Sequence, residues 1–453
     1  MNVFKQDSTK HAVQNGYSTS GTADAPVRDS RPTVIITGPP WPRSGTGRVM
    51  QSQIQFYRKR GYNTVFIAVP FRWNYTRNSP VWDEFRDGLN EMGADLTLLA
   101  AIEPRHFTLA KFSATLRYRR RGTALDWLVA IGRSTQLTSE SLRLLKSLPV
   151  ALFHVNHVFS LGFALRLKEK LTLREKDVPV ILDTHDIQSQ MLHEKQEPNP
   201  WTHRPDSLEP LLESEVAQLR SPDALIHLSV SDFSFFREEL PEKAHFLALP
   251  TIDEGFVSSV KLAVPAAESI DLLFVAHWHP PNLTAIQWFF ENVWPLIANR
   301  GYKFRIVGRI GILAEGQAPE LFEKFRDCFV GEVVDLAPYY RSARCVIAPM
   351  ISGSGISIKT IEAFALGKAF VGTSKAFRGM PMERLEELGI HAFDEPPSFA
   401  DAIVATLSNA EEAERTSQAA YDALFSTEAC FAVRNKSLNA ALQHVKSTQA
   451  KAR

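Results

Sequence analysis

The sequence predicts an α/β protein made of two domains, each built on a parallel sheet covered by helices. At 453 residues the chain is too long for one ordinary hydrophobic core. Apolar runs alternate with amphipathic segments, which is typical of a parallel sheet covered by helices on both faces. The alternation stops at residues 248–269, which contain Pro250, Gly255 and Pro265, and it restarts at Asp271.

These breaks divide the chain into five parts. We expect a polar tail at 1–30, a first domain at 31–250, a linker at 251–269, a second domain at 270–425, and a helix with a tail at 426–453. The predicted strands of the first domain are 33–37, 64–69, 95–99, 127–131, 150–155, 179–183 and 224–228. Those of the second domain are 271–276, 304–308, 345–349 and 370–373, and residues 398–445 are predicted to be nearly all helical.

The composition is that of a soluble globular protein, with 44% hydrophobic and 22% charged residues. The net charge of +1 gives no reason to expect a nucleic-acid partner. The three cysteines are widely spaced, which is typical of reduced thiols in a cytoplasmic protein and provides no metal-ligand pattern. The first 30 residues lack the apolar segment of a secretory signal, and no run has the ~18–20 apolar residues of a membrane span.

The segment 353–368, GSGISIKTIEAFALGK, carries the strongest chemical signal. A glycine-rich turn follows a buried-strand pattern and opens a short helix, so backbone N–H groups and the helix dipole can bind an anion there. Lys359 can reach a diphosphate, and Glu362 can accept hydrogen bonds from ribose hydroxyls. These groups suit a nucleoside diphosphate-sugar. The alternative is that Lys359 and Glu362 form an ordinary surface pair three residues apart.

This segment resembles the donor site of retaining GT-B glycosyltransferases of family 4, or group 1. Residues 339–355 (YYRSARCVIAPMISGSG), 274–290 (FVAHWHPPNLTAIQWFF) and 39–48 (PPWPRSGTGR) are similar to the same family. The resemblance extends over nearly all of the chain after residue 30 and is strongest between 270 and 380. It implies a GT-B architecture, in which two Rossmann-like domains face each other across a cleft and C-terminal helices cross back to the first domain. The donor would bind to the second domain and the acceptor to the first.

The resemblance also implies a set of donor-binding residues: Gly353, Ser354, Gly355, Ile356, Lys359 and Glu362. Two features depart from the family pattern. Ser354 stands where an acidic residue is usual, and residues 277–282 (HWHPPN) lack the usual arginine and lysine that neutralise the leaving diphosphate. We therefore add Arg309 and His279 as candidates for that charge. The alternative for His277 and His279 is that they are plain loop residues beside a Pro-Pro turn.

On the acceptor side, the sequence PRSGTG places a flexible loop after the first strand, before a helix expected near Arg48. Its candidate contacts with acceptor or phosphate are Ser44, Gly45, Thr46 and Gly47.

Two histidine-containing segments compete for the reactive centre. FHVNHVF ends the predicted fifth strand with His154 and His157, although the family register favours Asn156. LDTHDIQSQ ends the sixth with Asp183, His185 and Asp186. The candidate catalytic residues are, in order, His185 and His157, with Asn156 as the alternative contact and Asp186 as a polar neighbour. Alternatively, Asp183 or Asp186 only caps the helix expected near Ile187.

The hypothesis is a metal-independent glycosyltransferase of the hexosyltransferase type, with a nucleotide-sugar as co-substrate and no other cofactor, and the family resemblance implies that it retains the anomeric configuration. The acceptor would be a hydroxyl of a glycan or lipid-linked saccharide, as in polysaccharide biosynthesis. The alternatives are a GT-B-fold nucleotide-sugar epimerase and a catalytically silent binding protein. The basic run 117–122 (RYRRRG) is either a solvated helix face or a peripheral contact with anionic headgroups at the inner face of a membrane.

Overall fold

A computed structural model describes residues 30–42, 44–71, 82, 88–103, 112, 115–116, 122–171, 178–353 and 355–452. The polar tail before residue 30, most of the basic run 117–122, and Ser354 lie outside these residues. The expectations stated for them therefore stay predictions.

The first domain is built on a seven-stranded parallel sheet with the strand order β3-β2-β1-β4-β5-β6-β7. The strands are β1 Thr33–Gly38, β2 Asn63–Ala68, β3 Leu96–Leu99, β4 Val150–Asn156, β5 Val180–Asp183, β6 Ala224–His227 and β7 His245–Leu247. β1 is buried along its whole length, as a strand covered on both faces must be. The order reverses between β1 and β4, and such a switch point opens a crevice at the carboxyl ends of the strands.

The second domain repeats this plan with five parallel strands in the order β10-β9-β8-β11-β12. They are β8 Ile270–Val275, β9 Phe304–Val307, β10 Phe329–Gly331, β11 Ala343–Ala348 and β12 Ala369–Gly372. Here the switch point lies between β8 and β11. The predicted α/β architecture with two parallel sheets is confirmed.

Helices cover both sheets. Those of the first domain are α1 Gly45–Lys59, α2 Ala124–Ser134, α3 Ser139–Lys146, α4 Val158–Lys170, α5 Gln188–Glu194, α6 Leu208–Leu219 and α7 Val230–Glu239. Those that follow are α8 Glu254–Leu262, α9 Pro280–Trp288, α10 Trp294–Ile297, α11 Ile310–Gln317, α12 Pro319–Lys324, α13 Ala337–Ser342, α14 Ile358–Ala365, α15 Met382–Glu387, α16 Pro396–Ser408, α17 Ala410–Ala420 and α18 Thr427–Ala452. π-helical turns lie at Phe289–Val293 and Tyr421–Phe425, and 3₁₀ turns at Ala298–Arg300, Arg326–Cys328 and Ser374–Phe377.

One predicted strand is wrong. Residues 127–131 lie inside α2, which starts with a capping box between Thr123 and Asp126. A short apolar run fits a buried strand and a buried helix equally well, and the cap decides between them. Consequently Asn156 ends the fourth strand rather than the fifth, and Asp183 ends the fifth rather than the sixth. The sequence analysis also missed β7 and β10, which have only three residues each.

The expected linker contains a helix. α8 begins behind Asp253, whose carboxylate accepts a hydrogen bond from the Phe256 N–H at 2.8 Å. The helix buries Val260 and packs beside α13 of the second domain. The connection between the two sheets is therefore ordered along part of its length.

The last helix crosses back to the first domain, as predicted. α18 packs on β5, β6 and β7, and its Leu438 and Ala441 join the hydrophobic core on that side of the first sheet. None of the helices that the structure describes is both long and apolar enough to cross a membrane.

Candidate active site

The glycine-rich turn of the second domain follows β11 and leads into α14, at the carboxyl edge of the sheet. Gly353 and Gly355 have φ values of 126° and 63°, a region that favours glycine. The side chain of the N-cap residue Ser357 makes no cap hydrogen bond and so does not occupy the first N–H groups of α14; the Thr360 N–H donates to the Ser357 carbonyl at 3.2 Å. Gly367, with φ 59°, follows the end of the helix, as the sequence predicted.

Lys359 lies in the first turn of α14. Its Nζ lies 2.7 Å from Asn282 Oδ1 and 4.5 Å from the centroid of the Phe274 ring. Burial and the positive charge of Arg378 lower the pKa of Lys359 to about 7. An anion bound beside it would favour the charged ammonium form.

Glu362, one turn later, contacts the first domain. Its Oε1 lies 3.3 Å from Nε of Arg48 on α1, and its Oε2 accepts a hydrogen bond from the Tyr340 hydroxyl at 3.3 Å. Burial raises the pKa of Glu362, and the charge of Arg48 opposes that shift. Lys359 and Glu362 are therefore not a simple surface pair, because each has a separate partner.

The two domains meet around this turn. A Cβ on Gly355 would overlap Asp186 Oδ1 of the first domain, and a Cβ on Gly45 would lie 3.0 Å from Ile358 Cγ1 of the second. The Val230 N–H also donates a hydrogen bond to the Gly379 carbonyl across the same boundary, at 2.9 Å. Glycines at these points allow the backbones of both loops to approach closely, so the described cleft is closed.

The first-domain loop is a helix cap as well as a contact with the second domain. Ser44 is the N-cap of α1: its Oγ accepts a hydrogen bond from the Gly47 N–H at 3.1 Å and donates one to the Trp41 carbonyl at 2.7 Å. A Cβ on Gly47 would overlap the Pro42 carbonyl, so only glycine fits there. Thr46, between these residues, is half-buried.

His157 and His185 form a stacked pair at the ends of β4 and β5. Their ring centroids are 4.1 Å apart with an interplanar angle of 15°. Both residues have positive φ, 62° and 64°, which non-glycine residues rarely adopt. Backbone strain of this kind costs ~1–3 kcal/mol and clusters at functional sites. The structure thus brings together the two histidines that the sequence could only rank.

Hydrogen bonding fixes the tautomer of His185. Asn156 Nδ2 donates to the Thr37 carbonyl at 3.2 Å, so its Oδ1 is the acceptor that lies 2.7 Å from His185 Nε2. His185 therefore carries its hydrogen on Nε2 and leaves Nδ1 as a base. Burial lowers its pKa to about 4, so the ring is neutral at pH 7.

His157 is buried more deeply, against His185 and Phe159. Within the described part of the chain, neither of its ring nitrogens has a hydrogen-bond partner. Burial holds its pKa well below the usual value, with the neighbouring His185 acting in the same direction. A neutral imidazole has one donor and one acceptor nitrogen, so a buried polar ring without partners of this kind needs an explanation.

A buried ionic network lies beneath this pair, centred on Asp183. The carboxylate contacts His154 Nε2 at 2.8 Å, Gln53 Nε2 at 2.7 Å and Arg434 Nη1 at 3.1 Å. The charge of Arg434 and the bond from His154 hold the pKa of Asp183 well below its usual range, although burial opposes this. Gln53 also pairs with Asn156, which links the network to His185.

Neither aspartate caps the helix after β5, so the capping alternative is wrong. Glu215, from α6, accepts hydrogen bonds from the Gln188 and Ser189 N–H groups at 2.9 and 2.8 Å. Asp186 instead lies against Gly355 in the cleft, where burial raises its pKa and the charges of Lys195 and Arg378 oppose the rise.

The remaining candidate site residues lie at separate positions. His279 is the N-cap of α9, and its pKa is lowered by burial and by the nearby charges of Lys195, Lys359 and Arg378. Ile356 packs beside Gly379. Arg309 faces Glu332, with Nε 3.8 Å from Oε2, in a pair exposed to solvent. Among the described residues, no group of three or more His, Cys, Asp or Glu side chains is arranged to hold a metal ion.

Sequence reasoning missed four residues at or beneath the cleft: Arg48, Asn282, Arg378 and Arg434. Each reaches its partner from a separate chain segment, and only the folded topology brings them together. Arg48 directly follows the first-domain loop, and its position there predicts the start of a helix but no contact with Glu362. Arg434 lies 251 residues from Asp183, its partner.

Known proteins resemble this chain in the sequence of its second domain and in its overall fold. Residues 269–409, which contain the glycine-rich turn and α14, match the family model described as glycosyl transferases group 1. No curated protein sequence matches the chain.

Several solved glycosyltransferase structures have the same fold. HepE of Anabaena, solved with UDP and glucose, superposes with a TM-score of 0.57 at 12% identity, over 90% of this chain and 99% of its own. A TarM mutant of S. aureus, in complex with fondaparinux, α-GlcNAc-glycerol and UDP, gives 0.55 at 10% identity over 90% and 99%. Trehalose 6-phosphate synthase of Burkholderia multivorans gives 0.55 at 14% identity over 94% and 100%. The second domain of this chain thus matches the group 1 glycosyltransferase family, and the chain as a whole has the GT-B fold.

Proposed function

We propose that the protein is a glycosyltransferase that moves a sugar from a nucleoside diphosphate-sugar to an acceptor hydroxyl. One observation carries the proposal: Lys359 and Glu362 project from α14 directly behind a glycine-rich turn, inside the segment that matches the family model. UDP-sugars are the donors to test first, because HepE and TarM were solved with UDP.

In this proposal the second domain binds the donor. The N–H groups of the turn and of the first turn of α14 hold the diphosphate, Lys359 neutralises its charge, and Glu362 accepts hydrogen bonds from the ribose hydroxyls. The pKa of Lys359, lowered to about 7, would rise when the dianionic group binds, so donor binding would take up a proton near pH 7.

The first domain would position the sugar and the acceptor. In the transfer, the bond between the anomeric carbon and the diphosphate oxygen breaks, and the acceptor oxygen bonds to that carbon. The acceptor proton passes to the departing phosphate oxygen. His185 and His157 would contact the sugar or the hydroxyl as neutral rings, and Asp186 would lie beside the donor turn. The protein would contribute mainly orientation and charge stabilisation.

Further details of the proposal come from the family resemblance. We propose retention of anomeric configuration, a hexose as the transferred sugar and no requirement for a metal. A glycan or lipid-linked acceptor, as in polysaccharide biosynthesis, is in keeping with the glycan ligands of TarM. A cytoplasmic location with peripheral membrane contact completes the proposal, and the basic run 117–122 would supply that contact.

The epimerase alternative is less well supported. Exchange of a proton at a sugar carbon needs an acid as well as a base at that carbon, whereas His185 and His157 are neutral imidazoles that can act only as bases and Asp183 is fully paired in the described structure. Incubation with a UDP-sugar alone separates the alternatives, because an epimerase would change the sugar without an acceptor. A silent binding protein would release no UDP under any condition.

A thermal-shift screen followed by a transfer assay tests the proposal. A ligand at 100 times its dissociation constant adds about 2.7 kcal/mol of stability, so UDP, GDP and ADP can be ranked by the melting temperature. Glu362→Gln should lose most of the shift given by the preferred nucleotide. The matched control is Glu254→Gln, which changes an exposed carboxylate on α8. No shift with any nucleoside diphosphate would contradict the proposal.

A further inference from the structure

Arg378 lies directly against the glycine-rich turn. Its Cζ and Nε are each 3.3 Å from the point where a Cβ on Gly353 would stand. The residue follows the 3₁₀ turn Ser374–Phe377, which comes after β12, the neighbour of β11 in the sheet. Its Nη1 donates a hydrogen bond to the Lys375 carbonyl at 3.0 Å. The guanidinium is therefore held beside the backbone that opens α14.

The next residue fixes this position from the other side. Gly379 has φ 77°, and a Cβ there would lie 3.3 Å from Ile356 Cα and 2.7 Å from Ser229 Cβ of the first domain. Its carbonyl accepts the interdomain hydrogen bond from the Val230 N–H. The segment that carries Arg378 is thus clamped between the donor turn and the first domain.

Several cations converge at this point. The positive charge of Arg378 lowers the pKa of Lys359 and of His279, and the charge of Lys195, from the end of α5, acts on His279 as well. Like charges in a partly buried space repel one another, and two carboxylates oppose them: Asp186 acts on Arg378, and Glu362 acts on Lys359. Such an arrangement is favourable when it holds a multiply charged anion.

The sequence indicates a role for these cations. Residues 277–282 lack the arginine and lysine that neutralise the leaving diphosphate in the family pattern, so the charge has to come from elsewhere. We propose that Arg378 binds the donor diphosphate together with Lys359. This inference rests on the proposed function, because it assigns residues to the same donor site.

Binding of UDP, measured by calorimetry, tests the assignment. Arg378→Gln should weaken UDP binding about 10- to 100-fold, the range expected for a lost charge-assisted contact. Arg378→Lys should recover only part of it, because an ammonium lacks the bidentate geometry. Lys375→Gln is the matched control: it removes an exposed cation three residues away and leaves intact the backbone carbonyl that Arg378 uses. UMP should lose less affinity than UDP on Arg378→Gln.

The outcomes separate this inference from the proposed function. Wild-type affinity for UDP in Arg378→Gln, with weakened binding in Glu362→Gln, would overturn the role of Arg378 and leave the donor site in place. Failure of the wild-type protein to bind UDP, GDP or ADP would overturn both. Equal losses for UDP and UMP, with an unchanged melting temperature, would show that Arg378 does not act on the second phosphate.

Discussion

Arg48 Nε lies 3.3 Å from Glu362 Oε1, so an ion pair joins α1 of the first domain to α14 of the second. The side chains of the pair are only 25% and 11% exposed, and the Arg48 guanidinium lies 4.3 Å from the centroid of the Phe256 ring. Glu362 is also the carboxylate proposed to bind the ribose. In that role Glu362 would serve both donor binding and the contact between the domains. The ribose hydroxyls would then either share the carboxylate with Arg48 or displace the arginine from it.

Replacing Arg48 tests this coupling. In Arg48→Ala, Glu362 would lose the positive charge that opposes the rise of its pKa on burial, so we expect the free energy of unfolding to fall by about 1–3 kcal/mol. UDP binding should weaken as well, and most strongly at acidic pH. Lys59→Ala is the control, because Lys59 lies on the same helix as Arg48 and forms an exposed pair with Glu254. Breaking that pair should lower the free energy of unfolding by only about 0–1 kcal/mol. Equal effects of the two changes on stability and on UDP affinity would contradict the coupling.

The pH dependence of donor use should follow Lys359. Its pKa in the free protein is about 7, below the ordinary value because of burial and Arg378. The charged form therefore declines above pH 7, and kcat/KM for the nucleotide-sugar should fall with it, since this parameter reports the free enzyme. Lys359→Arg stays charged and should lose that alkaline decline even if its rate is lower. A decline that persists unchanged in Lys359→Arg would assign it to another group.

Removal of only one partner of the Arg434–Asp183 ion pair should lower the stability of the protein strongly. Both side chains are almost completely buried, at 2% and 0% exposed. Arg434→Met leaves the Asp183 carboxylate without its cation, so we expect a loss of about 3–5 kcal/mol in the free energy of unfolding. The double variant Arg434→Met with Asp183→Asn should recover part of this loss.

Arg58→Ala provides the comparison for that experiment. It removes a pair with Asp95, at 3.6 Å, in which the arginine side chain is 54% exposed. Its effect should be no more than about 1 kcal/mol. Chemical denaturation of the wild type and of these three variants measures the effect, and a double variant less stable than Arg434→Met alone would contradict the pairing argument.

The histidine pair should matter for transfer more than for folding. His185→Ala and His157→Ala each remove a neutral ring that would contact the sugar or the hydroxyl, and the loss of one such hydrogen bond, about 0.5–1.5 kcal/mol, should lower kcat by up to about 10-fold. Asn156→Ala should act through His185, because it removes the acceptor that fixes the Nε2–H tautomer. Initial rates with saturating donor, alongside melting temperatures, measure this. Near-wild-type transfer in all three variants would refute the acceptor-side assignment.

Local patterns predicted most of the fold. Strands such as β1 and β11 are continuous apolar runs, so the sequence predicts them directly. The Gly-Ser-Gly turn before α14 has the pattern of an anion-binding turn at the start of a helix, so the sequence predicts it as well. The run 127–131 could not, because its residues suit either a strand or a helix until the capping box of Thr123 and Asp126 is considered. β10 is too short to give a periodic signal.

The site was harder to predict than the fold. Lys359 and Glu362 lie in one local motif, whereas Arg48, Arg378 and Arg434 act on residues that are distant in sequence. An arginine after a short turn or within a long helix looks like an ordinary surface residue. Only the packing of α18 against the first sheet buries Arg434 beside Asp183, and only closure of the two domains brings Arg48 to Glu362.

The most direct measurement of the central claim is UDP release from UDP-sugars, with and without glycan acceptors, by the wild-type protein and by Lys359→Ala and Glu362→Ala. We predict release by the wild type that increases with acceptor. Lys359→Ala should lower kcat more than it weakens binding, because charge develops on the departing diphosphate, and Glu362→Ala should mainly raise KM for the donor. Both variants should keep the wild-type fold. Wild-type kinetics in both variants would place the donor site elsewhere, and no UDP release by the wild type from any donor would contradict the claim.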